Sequence, residues 1–259
     1  MKNKLMRPDP KFVIYKVGSQ KIKKVVRMAF LSDLHAENYG ENQKQLLSMV
    51  DALMPHLVLL GGDCYDERFG WEKPEETIRL LAEKYTVLFT TGNHEIATHK
   101  LREVRKSAKA AGAIVLAGSG VFPVLNGQKL CICGAEDPLG NEGRHQRQLA
   151  QCEMIAEAHD DLFSILLTHR PERVKEYENS PFDLVLTGHA HGGQWRVPGL
   201  LNGFLAPDQG FFPKYAGGKY KFGNTTMLCS RGLGRQNTPF PRIFDDPEVV
   251  CVELDPEDP

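Results

Sequence analysis

Five short motifs follow one another along the chain: SDLH (32–35), GGD (61–63), GNHE (92–95), THR (168–170) and GHAH (188–191). They carry Asp33, His35, Asp63, Asn93, His94, His169, His189 and His191. Carboxylate, amide and imidazole donors in that number can hold two divalent ions side by side and leave one histidine for proton transfer. Two such ions roughly 3.5–4 Å apart polarise phosphoryl oxygens and generate hydroxide near neutral pH. Asp33 and His35 are two residues apart, as are His189 and His191. In extended backbone such pairs point to one side, so each pair is expected to face one cluster. Asp63 offers a carboxylate able to bridge both ions, Asn93 a neutral carbonyl oxygen, and His169 another imidazole. With neutral histidines, two aspartates and a bridging hydroxide, the centre keeps a charge of about +1, which favours a phosphate anion.

His94 adjoins Asn93 and is the expected general acid for a leaving alkoxide. A carboxylate on its other ring nitrogen would orient it and raise its pKa. Asp66, three residues past Asp63, is the expected partner. Any one piece, DxH or GNH, is weak. Five of the nine histidines fall in these ordered motifs, which argues against scattered structural histidines.

The elements that must position these residues are legible as patterns. Strands are expected at 11–18 and 24–31 around a GSQK turn, at 57–60 (LVLL) and at 87–90 (VLFT). Leu46, Leu47, Val50 and Leu53 predict a helix over 41–54. A second helix is expected over 74–84, opened by Pro74, and a third over 98–111, closed by Gly112. The run 113–134 then reads as consecutive short strands with glycine turns. A helix over 145–158 and strands at 162–167, 182–187, 225–229 and 248–254 complete the pattern. β and α alternate in the first half and strands come in runs later, which predicts an α/β fold of two packed sheets with helices outside. Every motif follows a strand, and ligands collect at the carboxyl ends of strands in open α/β sheets. The motifs span 32–191, so splitting the chain would cut the site; one domain over 1–259 is expected.

The 32 basic and 33 acidic residues nearly cancel, so no basic field advertises nucleic acid. Six cysteines without a CxxC pair read as reduced, buried thiols, Cys64 beside Asp63 included. No apolar run nears the roughly 20 residues of a membrane span. The Met1 segment is basic without an apolar stretch, so a cytoplasmic location is expected; a peripheral or wall-associated one would follow if a further N-terminal segment precedes it. Residues 197–224 are rich in Gly, Pro and aromatics (Phe204, Phe211, Phe212, Tyr215, Tyr220, Phe222). Such a stretch after GHAH is either a wall of the substrate pocket or a packed surface loop. Arg170 and Arg231 are candidates for a phosphate oxygen.

The motif order resembles that of the calcineurin-like metallophosphoesterases: DxH, GD, GNH[ED], H, GHxH. The resemblance implies a four-layer α/β/β/α sandwich with two mixed sheets flanked by helices, and a binuclear centre. It assigns Asp33, His35, Asp63 and His191 to one ion, Asp63, Asn93, His169 and His189 to the other, and His94 to acid catalysis. GDCYDER and TGNHE depart from the GDxVDRG and RGNHE of Ser/Thr protein phosphatases, at Glu67 and Thr91. Ala97 stands where periplasmic nucleotidases carry an aspartate. SDLH, THRPE, GHAHGGQ and SRGLG (230–234) are most similar to a bacterial phosphodiesterase branch. The expectation is hydrolysis of a small-molecule or lipid phosphodiester with two divalent ions, Mn²⁺ first and Fe or Zn²⁺ as alternatives. The rivals are a phosphomonoesterase or pyrophosphohydrolase acting on a nucleotide or lipid head group, and a non-catalytic scaffold.

Overall fold

The computed structural model describes residues 8–235 and 242–256. Its elements run β1 (Lys11–Ser19), β2 (Val26–Leu31), α1 (Lys44–Leu53), β3 (Leu57–Gly61), α2 (Glu72–Ala82), β4 (Val87–Thr90), α3 (Asn93–Ala97), α4 (Leu101–Ala110), β5 (Ile114–Val115), β6 (Ser119–Val121), β7 (Val124–Leu125), β8 (Gln128–Gly134), α5 (Glu142–Glu157), β9 (Phe163–Leu167), α6 (Val174–Tyr177), β10 (Leu184–Thr187), β11 (Leu205–Ala206), β12 (Gly210–Phe211), β13 (Gly218–Phe222), β14 (Thr225–Cys229) and β15 (Glu248–Pro256).

Two mixed sheets result. The first has the order β1-β15-β2-β3-β4-β5, with β2 to β5 parallel and β15 antiparallel to β2. The second runs β13-β14-β10-β9-β8-β6, parallel from β14 to β8 and antiparallel at both flanks.

Period-two alternation distributes each central strand between two layers. Met28, Phe30, Leu57 and Leu59 of the first sheet meet Leu130, Ile132, Ile165, Leu167, Leu184 and Leu186 of the second in the middle of the sandwich. The intervening residues Ala29, Leu31, Val58 and Leu60 face outward onto Leu46 and Val50 of α1, Ile78 and Leu81 of α2, and Val104 of α4. On the far side, Cys131, Cys133, Leu166 and Val185 pack on Leu149 and Cys152 of α5 and Val174 and Tyr177 of α6. Helices therefore cover both outer faces, and the architecture is the α/β/β/α sandwich. Strands buried on both faces read as unbroken apolar runs, which is why LVLL and VLFT stand out in the sequence.

Several boundaries move: the helix expected over 41–54 runs Lys44–Leu53, that over 145–158 runs Glu142–Glu157, and the strands expected at 24–31 and 182–187 begin at Val26 and Leu184. Helix α2 begins at Glu72, two residues before Pro74; proline fits the first turn, where no acceptor awaits its missing N–H. The helix expected over 98–111 starts at Leu101, and α3 is a separate short turn beginning at Asn93. The six cysteines are all buried and unpaired. Among the described residues no helix is long and apolar enough to cross a membrane.

Candidate binuclear metal centre

Strands β2, β3, β4, β9 and β10 end at Leu31, Gly61, Thr90, Leu167 and Thr187, and a motif follows each at once. The five loops converge. Asp33, His35, Asp63 and His191 bring one ligand atom each within 4.8 Å of one another, and Asp63, His169 and His189 do the same. Asp63 belongs to both groups. Asn93 opens α3 next to His94, whose backbone N–H donates to Asp63 Oδ1 at 2.9 Å.

The convergence does not come from extended backbone. Asp33, His35, Asp63, His189 and His191 have φ of 53°, 47°, 54°, 65° and 46°. These are left-handed conformations, costing about 1–2 kcal/mol each for residues with a Cβ. Neighbouring glycines make room for them. Gly62 has φ +90°, and a Cβ there would run into Gly92 and His169; one on Gly188 would collide with the Asp33 carboxylate. The late SRGLG loop closes over Asp33: Leu233 N–H donates to Ser32 O and Gly234 N–H to Asp33 O.

The ring nitrogens are divided between support and site. His169 Nδ1 donates to Gly61 O at 2.7 Å, which leaves Nε2 inward, 3.1 Å from Asp63 Oδ2. His35 Nδ1 is held by Asp66 at 2.9 Å, and its Nε2 meets His191 Nε2 at 3.4 Å. His189 Nε2 is held by Asp208 at 2.8 Å. An outer partner on one nitrogen fixes the tautomer and aims the other at an ion. Asn93 Oδ1 is buried without a hydrogen-bond partner, and the buried Asp63 Oδ2 and His169 Nε2 have only each other, at 3.1 Å. A buried polar atom left unsatisfied is costly, and this amide oxygen, with the inward imidazoles and the Asp33 and Asp63 carboxylates, makes a mixed O and N donor set that fits divalent cations.

The electrostatics agree. Burial alone would raise the Asp63 carboxyl, yet His169 and His35 hold it well below the usual carboxylate range. Burial lowers His169, but Asp63 and Asp33 lift it well above the ordinary imidazole range. The carboxylate and the ring thus favour each other's charged forms, and a cation would compete with that pairing. Burial, His35 and Arg242 push His191 well below the ordinary range, into the neutral form that ligation requires.

His94 stands beside both clusters, its ring 4.7 Å from that of His35. Its expected partner requires correction. Asp66 Oδ2 is 3.7 Å from His94 Nδ1, beyond a hydrogen bond, whereas Glu67 Oε2 is at 2.7 Å. Asp66 is drawn instead to His35 and to Arg68, whose backbone N–H and Nε bind Oδ1 at 2.9 and 2.8 Å. Burial raises the Asp66 carboxyl, but Arg68 and His35 hold it far below the usual range. Asp66→Asn is therefore expected to weaken retention of metal by the His35 cluster about 10–100-fold, as losing an outer carboxylate does. Competition with a chelator measures it, and parent-like retention would refute the role.

The roles of three residues escaped the sequence reading. Glu95, fully buried, accepts backbone N–H bonds from Asp63, Cys64, Tyr65 and Gly92 at 2.7–2.9 Å, tying the GGD loop to the GNHE loop. Its place three residues after Gly92 is an N-terminal helix signal. Glu67 shares a loop with Asp66 and differs from it only in reach. Asp208 lies in an aperiodic stretch with no pattern to mark it.

Arg170 is occupied within the protein, and Arg231 is occupied through Nη2 while its buried Nη1 has no hydrogen-bond partner. Arg170 binds Asp137 at 2.7 Å and Asp208 at 2.6 Å; Arg231, buried, donates to Asn202 at 2.9 Å and to Gly217 O. The 197–224 stretch divides. Tyr215, Tyr220 and Phe222 pack into the outer layer under the second sheet, whereas Phe211 and Phe212 stay exposed.

The model of the calcineurin-like phosphoesterase family matches residues 26–193, and the chain belongs to that family. YpbG of Bacillus subtilis is 30% identical over 245 residues, covering 93% of this chain and 85% of its own. The protein named phosphodiesterase YaeI of Escherichia coli is 28% identical over 236 residues, 88% of this chain and 82% of its own. Among solved structures, TT1561 of Thermus thermophilus superposes with a TM-score of 0.52 at 13% identity, over 81% of this chain and 90% of that one, a likeness of fold. The chain is thus a hydrolase of the metallophosphoesterase superfamily with a candidate binuclear His/Asp centre.

Proposed function

We propose that the protein hydrolyses phosphodiesters. The observation that carries the reading is the convergence of Asp33, His35, Asp63 and His191 and of Asp63, His169 and His189 on two adjoining points, with the buried, partnerless Asn93 Oδ1 and His94 beside them. Asp33, His35, Asp63 and His191 would hold one ion; Asp63, Asn93, His169 and His189 would hold the other, with Asp63 shared. Mn²⁺ is the first candidate, Fe and Zn²⁺ the alternatives, for this mixed O/N donor set. Bound there, the ions supply Lewis acidity and a hydroxide nucleophile near neutral pH.

The chain's own residues do the rest. Glu67 holds His94 Nδ1, leaving Nε2 to give its proton to the departing alkoxide. Burial lowers the His94 pKa, but Asp63, the Glu67 hydrogen bond and Asp66 outweigh it and raise it, so the acid form persists to higher pH. Asp66 acts through His35 as a positioning residue. The diester preference is supported by the name of the 28% identical YaeI.

The test compares bis(p-nitrophenyl) phosphate with p-nitrophenyl phosphate on Mn²⁺-loaded protein. The diester should be favoured at least about tenfold in kcat/KM, a difference of about 1.4 kcal/mol in transition-state binding. Preference for the monoester would move the protein to the phosphomonoesterases.

A further inference from the structure

Trp195, Phe204, Leu205 and Phe211, with Gln194, line a groove of about 100 Å³. Phe204 is its floor: it stacks on Trp195 at 5.4 Å and meets Phe211 and Phe212 edge-on at 5.3 and 5.5 Å. Phe211 and Phe212 are 65% and 67% exposed. Clustered exposure of large apolar side chains beside a reactive centre calls for an occupant.

The groove sits on the segment that follows the last metal motif. Gln194 lies three residues past His191, and Phe204 N–H donates to Gly193 O at 2.9 Å. The antiparallel pair β11–β12 packs on the 191–193 turn through β11. Asp208, in the connection between β11 and β12, holds His189 Nε2 at 2.8 Å and Arg170 Nη1 at 2.6 Å; Asp137 anchors that arginine from behind. The hairpin that presents the aromatics is thus latched onto a metal ligand. Because the hairpin touches the candidate centre through the Asp208–His189 contact, the occupant this groove is placed to take is a substituent of a phosphoryl group held at that centre.

We propose that the groove is a subsite for an alkyl substituent of the phosphodiester, and that the preferred substrates are amphiphilic. The inference rests on the phosphoesterase reading for the location of the phosphoryl group. Hydrophobic burial gives each fully covered methylene up to about fourfold in affinity, so chain length is the variable to measure.

Kinetics of p-nitrophenyl methyl phosphate and p-nitrophenyl octyl phosphate on Mn²⁺-loaded protein supply the test. The octyl ester should be favoured at least about tenfold in kcat/KM. In Phe211→Ser/Phe212→Ser that ratio should fall to within about twofold, and in Phe211→Leu/Phe212→Leu it should survive. A flat ratio in the parent, or one the serine variant leaves intact, overturns the subsite while leaving the diesterase reading in place. If neither ester is turned over, the diesterase reading fails and the groove is judged by Trp195 fluorescence. Octylphosphonate should then perturb it at far lower concentration than methylphosphonate, and equal responses overturn the subsite. A flat ratio together with self-association that the serine variant abolishes would assign the aromatics to a contact between copies, which also overturns it.

Discussion

Asp63→Asn should remove nearly all hydrolysis and deplete metal at both positions. Among the described residues Asp63 is the one shared by the His35–His191 and His169–His189 groups; its Oδ2 faces His169 Nε2 at 3.1 Å and His35 Nε2 at 3.8 Å, while Oδ1 is taken by the His94 backbone N–H. An amide keeps the shape but removes the negative charge that would offset two dications, and a neutral oxygen is a poor bridge. A loss on the order of 10³-fold or more in kcat is expected, at or beyond what removing one charge-stabilising group costs. Elemental analysis of the purified variant supplies the second readout. Two equivalents of metal together with near-parent turnover would refute the bridging role.

His94→Ala should keep both metals and lose roughly 10²–10⁴-fold on alkyl diesters, the usual worth of a general acid. Nitrophenolate leaves without much help, so the loss on nitrophenyl esters should be smaller. Glu67→Gln provides the companion measurement. His94 must be protonated to act, and activity falls as pH rises through its pKa. Glu67 is among the groups that raise that pKa, so removing its charge should shift the alkaline limb of the kcat/KM profile to lower pH. Equal losses on alkyl and nitrophenyl esters in His94→Ala, or an unmoved limb in Glu67→Gln, would remove His94 from acid catalysis.

Much of the architecture was readable because the strands that matter are buried on both faces, so VLFT and LVLL appear as unbroken apolar runs, each followed at once by a motif. The spacing argument for Asp33 and His35 reached a shared cluster by the wrong geometry. Periodicity assumes regular backbone, whereas both residues are left-handed, a conformation that tertiary contacts with neighbouring glycines impose. The partner of His94 was misjudged because sequence separation cannot distinguish Asp66 from Glu67 on one loop; the Arg68 guanidinium and the His35 ring decide it by drawing Asp66 away. Glu95 was hidden because its partners are backbone N–H groups, which leave no trace in residue type. The 197–224 stretch mixes a core contribution from Tyr215 and Tyr220 with exposed Phe211 and Phe212, and composition alone cannot separate them.

The position of β15 bears on how the protein is made. It lies between β1 and β2 in the first sheet, pairing Val250 with Phe30 on one side and Cys251 with Ile14 on the other. During synthesis β2, which leads into Asp33, therefore emerges with one edge open, and the strand that fills it is translated more than two hundred residues later. Ribosomes add about 5–20 residues per second, so that edge stays unpaired for on the order of ten seconds or more. Exposed strand edges invite pairing with other chains, and closing so long a loop is slow. The first metal-binding loop is thus translated early but gains its full sheet support late, and a nascent chain stalled before residue 248 would present an apolar, hydrogen-bond-hungry edge to holdase chaperones.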